Sequence, residues 1–163
     1  MSFNDNISSL PSRPDMSKLT LAVSCLREGR NAQAFMALSA PGFEKVPAAQ
    51  FALGLCDLRA DDLPAAIAKF EQAIGLLRAS ASPARESPPI SKTYLRLAVK
   101  QIEAKAYLEP MDADFCARFP QAAEQNALLA LIHAYRESGM ADQAKKLAAG
   151  LTGAEFEEYK KTL

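Results

Sequence analysis

The stretch Phe51–Leu77, FALGLCDLRADDLPAAIAKFEQAIGLL, leaves this chain few options. Ala66, Phe70, Ala73, Ile74 and Leu77 fall at i, i+4, i+7, i+8 and i+11, one face of a 3.6-residue helix. Lys69, Glu71, Gln72 and Arg78 take the other faces. Pro64 suits the first turn, where its missing N–H costs no bond. Asp61 and Asp62, just before it, set carboxylates at the positive end of the helix dipole. Upstream, Gly54 interrupts another helical pattern. Glycine there costs about 1 kcal/mol relative to alanine, so it implies close approach by a second element. The spacing predicts two helices joined at Asp61–Asp62, with Gly54 against Ala66 and Phe70.

Leu53, Gly54, Ala66 and Phe70 match, in identity and spacing, a signature that runs Trp, Leu-Gly, Tyr, Ala, Phe. Gln50 stands at the Trp position and Asp57 at the Tyr position. The hairpin therefore resembles a tetratricopeptide (TPR) unit; an ordinary αα-hairpin is the plainer alternative. Laying Gly29 on Asp61 pairs Leu21 with Leu53, Ala22 with Gly54, Ala34 with Ala66 and Leu38 with Phe70, at an offset of 32 residues. That is near the roughly 34 residues of a TPR. Laying Gly139 on Asp61, at an offset of 78, pairs Leu131 with Leu53 and Ala144 with Ala66, and puts Tyr135 where the family has its Tyr. One enlarged unit fits between. The resemblance implies an all-α fold: antiparallel helical hairpins stacked as a short right-handed solenoid, with a C-terminal capping helix.

The apolar stripes predict helices near 16–28, 31–39, 47–60, 64–79, 90–108, 121–138, 141–150 and 153–162. Residues 1–14, with Pro11 and Pro14, read as a mobile N-terminal tail, with room for a docked piece around Phe3 and Leu10; 15–163 form the helical domain. Asp15 is placed to cap the first helix. ASASPARESPPI, residues 79–90, reads as a loop, with Ser87 as a helix start. The helix after it runs through Tyr94, Leu95, Ala98, Val99, Ile102 and Ala106 and keeps Lys92, Arg96, Lys100, Glu103 and Lys105 in water. Asp112 can cap a short helix, DADFCARF. Thr152 and Glu155 have capping-box spacing, with Leu151 and Phe156 at staple spacing across them.

The chain's 163 residues suffice for one sizeable core. Nineteen Lys+Arg balance nineteen Asp+Glu, so there is no basic field for nucleic acid and no cationic helix for an anionic membrane. No apolar run reaches the ~18 residues of a membrane span. Cys25, Cys56 and Cys116, an odd count without close spacing, read as reduced thiols of a cytoplasmic protein and as small buried hydrophobes. His133 is the single histidine. No spacing suggests a zinc site, a thiol–base pair or a phosphate loop, so the chain is expected to be no enzyme and to hold no metal or cofactor.

The resemblance also implies a concave face lined by the first helix of each hairpin. Its lining would be Leu19, Val23, Leu26 and Arg27, then Phe51, Leu55, Leu58 and Arg59, then Leu129, His133 and Arg136. TPR proteins that clamp an acidic C-terminal peptide carry Lys and Asn early in this face. Leu19, Val23, Phe51 and Leu55 stand there instead. An apolar strip with an arginine rim suits an amphipathic helix or an apolar peptide of another protein. Two structures satisfy this pattern: an open groove, or a strip covered by the 110–120 segment or the C-terminal helix. Two functions follow, an adaptor or assembly factor, and a secretion-type chaperone that shields a cargo helix and forms a homodimer without it.

Overall fold

A computed structural model describes residues 12–81 and 91–163. Most of the expected tail and of the expected 79–90 loop, Ser87 included, lies outside the described residues. The described elements are all helical. They are α1 (Met16–Arg27), α2 (Asn31–Leu38), α3 (Pro47–Arg59), α4 (Leu63–Ser80), α5 (Lys92–Glu103), a 3-10 turn (Ala106–Leu108), α6 (Ala113–Arg118), α7 (Pro120–Glu137), α8 (Ala141–Ala149) and α9 (Ala154–Lys160).

Three hairpins, α1–α2, α3–α4 and α7–α8, close with one and the same turn. Gly29, Asp61 and Gly139 adopt left-handed φ of 76°, 62° and 77°. The next N–H, of Arg30, Asp62 and Met140, bonds the carbonyl five residues back, on Cys25, Asp57 and Tyr135, at 2.8, 2.9 and 2.8 Å. This satisfies carbonyls that a helix end leaves open. Gly29, Asp61 and Gly139 are the three positions that the internal alignment superposes. The sequence repeat is thus matched by a repeat of backbone geometry.

Packing follows the chain: α2 on α3, α3 on α4, α4 on α7, and α7 on α8. At Gly54 a Cβ would stand 2.6 and 2.7 Å from Cε1 and Cδ1 of Phe70. The glycine is there because the ring is. Ala34, Ala66 and Ala144, the aligned small residues, are all buried. Gln50, at the Trp position, is 2 % exposed; its Nε2 donates to the Phe43 carbonyl at 2.8 Å and pins the loop before α3. Tyr135 donates its hydroxyl to Glu71 at 2.7 Å and ties α7 to α4.

Four local expectations need correction. Leu21, aligned with buried Leu53 and Leu131, is 52 % exposed. α3 and α7 each have a preceding hairpin packed on them, and α1, at the start of the stack, has none among the described residues. The helix expected over 90–108 ends at Glu103; Lys105 turns left-handed, φ 57°, and the 3-10 turn then buries Tyr107. Asp112 makes no cap hydrogen bond and pairs instead with Arg27 at 3.5 Å. At α9 the cap residue is Gly153, without a side-chain cap bond, and the Glu155 carboxylate folds back on it. Leu151 and Phe156, at staple spacing, are both buried.

Candidate functional site

The apolar strip is not an open groove. Leu19, Val23, Leu26, Phe51, Leu55 and Leu129 are at most 3 % exposed, and Leu58 is half-buried. On α1 the strip is packed against α2 and α3; on α3 and α7 the chain's own insert between α4 and α7 adds cover. α6 packs on both α3 and α7, and Met111 and Cys116 are buried in the same core. Two of the three arginines of the expected rim are fastened internally. Arg27 reaches Asp112 of the insert, and Arg59 donates to the Leu26 carbonyl at 2.8 Å and to Asn31 Oδ1 at 3.0 Å. An apolar row this long would not stay open on a small protein when the chain carries a segment able to cover it.

The row from the last hairpin fares differently. Leu129, His133 and Arg136 lie on successive turns of α7. Leu129 lines a cleft of about 320 Å³ with Ala98, Gln101, Gln125 and Asn126. Arg136 lines a second cleft of about 320 Å³ with Val99, Lys105, Glu158 and Tyr159. Ile102, Tyr107 and Glu155 border both, so the two clefts flank one wall. His133, half-buried, lays its ring 6.2 Å from that of Tyr107.

The cleft roof is α5. Ser91 caps it, accepting from the Tyr94 N–H at 3.4 Å. Leu95, Ala98, Val99 and Ile102 turn inward at helical spacing, yet none of its residues is fully buried. It rests chiefly on α9 and the 3-10 turn, and the clefts separate it from α7. Tyr94 and Leu97, 69 % and 51 % exposed, leave its apolar flank open to solvent.

Beneath it the electrostatics are those of a poorly hydrated site. Burial pushes the Tyr107 hydroxyl up to about 12, with Tyr159 adding to the shift. Burial also lowers the His133 pKa, and nearby Lys105 acts in the same direction, so the ring is neutral near pH 7. The Tyr159 hydroxyl is raised by burial, and Arg136 opposes the shift without a hydrogen bond of normal distance and angle. Tyr159 OH and Glu155 Oε2 are buried with no partner. Each such atom costs about 1–3 kcal/mol.

The buried-hydrophobe reading of the cysteines fits: Cys25, Cys56 and Cys116 are free and at most 4 % exposed. Burial holds the Cys56 and Cys116 thiols at about 11. Among the described residues no group of three or more His, Cys, Asp or Glu is arranged to hold a metal ion, and no helix is long and apolar enough to cross a membrane.

The sequence pointed to Leu129, His133 and Arg136 and missed the wall opposite them, Ile102, Tyr107, Glu155 and Tyr159. The available signal was α5 itself, whose apolar and charged residues are cleanly divided. Searches of protein-family models, of curated proteins and of solved structures find no match to this chain.

Proposed function

We propose that this chain is a non-enzymatic, TPR-like interaction module that binds a segment of another protein in the cleft between α5, α7 and α9. Support for the TPR-like part comes from three hairpins with one turn geometry and from the fit of Gly54 to Phe70. In this reading α9 caps the last hairpin, α5 to α6 are an insertion, and the concave face survives only along α7. The observation that carries the binding reading is the pair of clefts on either side of a helix that buries none of its residues. Walls of mixed polar and apolar side chains, two unpaired polar atoms and exposed Tyr94 and Leu97 at the mouth suit a peptide or helix, whose apolar burial contributes roughly 25 cal/mol per Å² before association costs.

The test is photo-crosslinking from Gln125 and Arg136, both on α7, with Met36 on α2 as the distant exposed control. One and the same protein should crosslink from both cleft positions and not from Met36. A partner captured only from Met36 refutes the site. The secretion-type chaperone is favoured by one feature, an amphipathic helix already lying where a cargo helix would lie. It predicts that the captured protein aggregates once released, whereas an adaptor's partner stays folded.

A further inference from the structure

Tyr107 is the buried residue of the 3-10 turn, and it stands in the wall between the two clefts. Its turn is lightly built. The Leu108 N–H donates to the Lys105 carbonyl at 3.0 Å and the Glu109 N–H to the Ala106 carbonyl at 3.1 Å. Left-handed Lys105, φ 57°, cuts the turn off from α5. A segment with so few bonds opens locally at a fraction of the cost of unfolding the core. The turn therefore depends on the packing of Tyr107, whose ring lies against that of His133 on α7, with centroids 6.2 Å apart and planes at 60°.

His133 is half-buried and is the chain's single histidine. Burial disfavours its protonated form, Lys105 at the head of the turn and Arg136 on α7 add to this, and Glu137 on α7 opposes them. From α9, Tyr159 faces Tyr107 and Arg136. Glu103 of α5 and Glu155 and Glu158 of α9 line the second cleft, and Glu158 is paired with Lys161. From α4, Glu71 and Arg78 meet α7 at Tyr135 and Glu124. The Tyr107 ring, at 6.2 Å, lies just beyond the roughly 6 Å over which a ring face attracts a cation, so it does little to hold an imidazolium.

We propose that His133 is a proton-operated latch on the wall between the two clefts. Neutral, its ring backs Tyr107 and keeps the 3-10 turn seated. Protonated, it leaves that contact for water, driven by the cations of Lys105 and Arg136; the turn loosens, and the two clefts join where Tyr107 stood. The inference concerns the wall and not what occupies the clefts, so it stands or falls apart from the binding reading.

A single histidine makes the titration unambiguous. Its ring signal is followed by NMR on the full chain between about pH 8 and pH 5. Hydrogen exchange of the Leu108 and Glu109 amides is measured over the same range, corrected for its intrinsic pH dependence, with α4 amides as the reference. The ring should titrate below the ordinary 6.5, and protection of the turn relative to α4 should fall at least threefold as it does. In His133→Gln that fall should vanish. In Lys105→Gln it should shrink, because the ring then titrates nearer its ordinary value. A midpoint at or above 6.5, equal loss of protection in the turn and in α4, or an unchanged fall in His133→Gln overturns the latch. Turn amides that gain protection in acid would mean that the Tyr107 ring grips the imidazolium, and overturn it as well. Should His133→Gln fail to fold, the wild-type midpoint and the ratio of turn to α4 protection decide.

Discussion

Replacing Gly54 by alanine sets two effects of opposite sign against each other. Alanine improves helix propensity by about 1 kcal/mol in the middle of α3. The new methyl would lie 2.6 Å from Cε1 and 2.7 Å from Cδ1 of Phe70, closer than carbon atoms can approach. Phe70 is fully buried, and Phe51 packs on it with ring centroids 5.4 Å apart, so the ring has nowhere to swing. Overpacking of this kind costs about 1–3 kcal/mol. The clash should win, with a net loss near 1 kcal/mol and a fall of about 2–4 °C in Tm for a chain of this size. Thermal melts followed by circular dichroism measure it. The partner mutation separates the terms: in a Phe70→Leu background the clash is gone and the same Gly54→Ala change should stabilise. The coupling energy of the two should be about 1–2 kcal/mol, inside the range for residues in contact. A higher Tm for Gly54→Ala alone, or additive effects of the pair, would refute the view that glycine is there for the ring.

Phe51→Asp and Leu55→Glu should abolish the cooperative melt rather than spare it, because both sites are fully buried and a carboxylate there has no partner; retained helicity and Tm would mean the strip is open. Arg59→Ala should cost about 1–2 kcal/mol by freeing the Leu26 carbonyl and loosening the first hairpin, readable as faster hydrogen exchange in α1 and α2 than in α4. Cys56 and Cys116 should react with iodoacetamide at pH 8 about a hundredfold more slowly than in the unfolded chain, since a thiol held near 11 rather than 9 carries a hundredth of the thiolate; equal rates would contradict the burial. His133 has a lowered pKa in the fold, so its contribution is fully present above the ordinary 6.5 and is lost as the pH falls toward the folded value. His133→Gln should flatten the acid side of the stability profile, and an unchanged profile would show that the ring is solvated.

Helices were legible because their signal is local. The expected 47–60 differs from Pro47–Arg59 by one residue at one end, and 121–138 from Pro120–Glu137 by one residue at each end, since proline marks one boundary and a turn residue the other. Gly54 was legible because a costly residue needs a reason, and the reason was a spacing away. Whether the strip is open or covered was left undecided by the sequence for a different cause. Periodicity tells which face of a helix is apolar and says nothing of what covers it. Leu19, Phe51 and Leu129 would give the same pattern under solvent, under a partner or under Met111 and Cys116. Leu21 failed in the reverse direction: it repeats the core position of Leu53, but among the described residues no earlier hairpin packs on α1 to cover it. Lys105 carried no signal, because a left-handed turn at a lysine has no composition cue, unlike one at glycine or asparagine.

The insert decides which first-helix faces are covered. A stack of three hairpins is short, and its first-helix faces are too apolar to remain wet. α6 packs on α3 and α7 and so takes up the first-helix faces of the second and third hairpins. The same insert has to cross the last hairpin before it reaches that groove, and it does so as α5, whose cations favour water and whose apolar face is only four residues long. A helix with that composition cannot seal α7 as α6 seals α3: Leu95, Ala98, Val99 and Ile102 reach half-burial, while Tyr107, Glu155 and Tyr159 stay at the edge of open space. The fold is thus closed where the insert is apolar and left open where it is amphipathic. In the proposed reading that boundary, between Glu103 and Tyr107, separates core from binding surface, and a substitution that extends α5 through it tests the division. Lys105→Ala keeps a Cβ in the same left-handed turn, φ 57°, and should lower stability only slightly, by about 1 kcal/mol or less. Deleting Lys105 outright should instead rotate Tyr107 out of the core and cost several times more. Equal effects from the two changes would mean that Tyr107 is not the anchor and that α5 and the core are one unit.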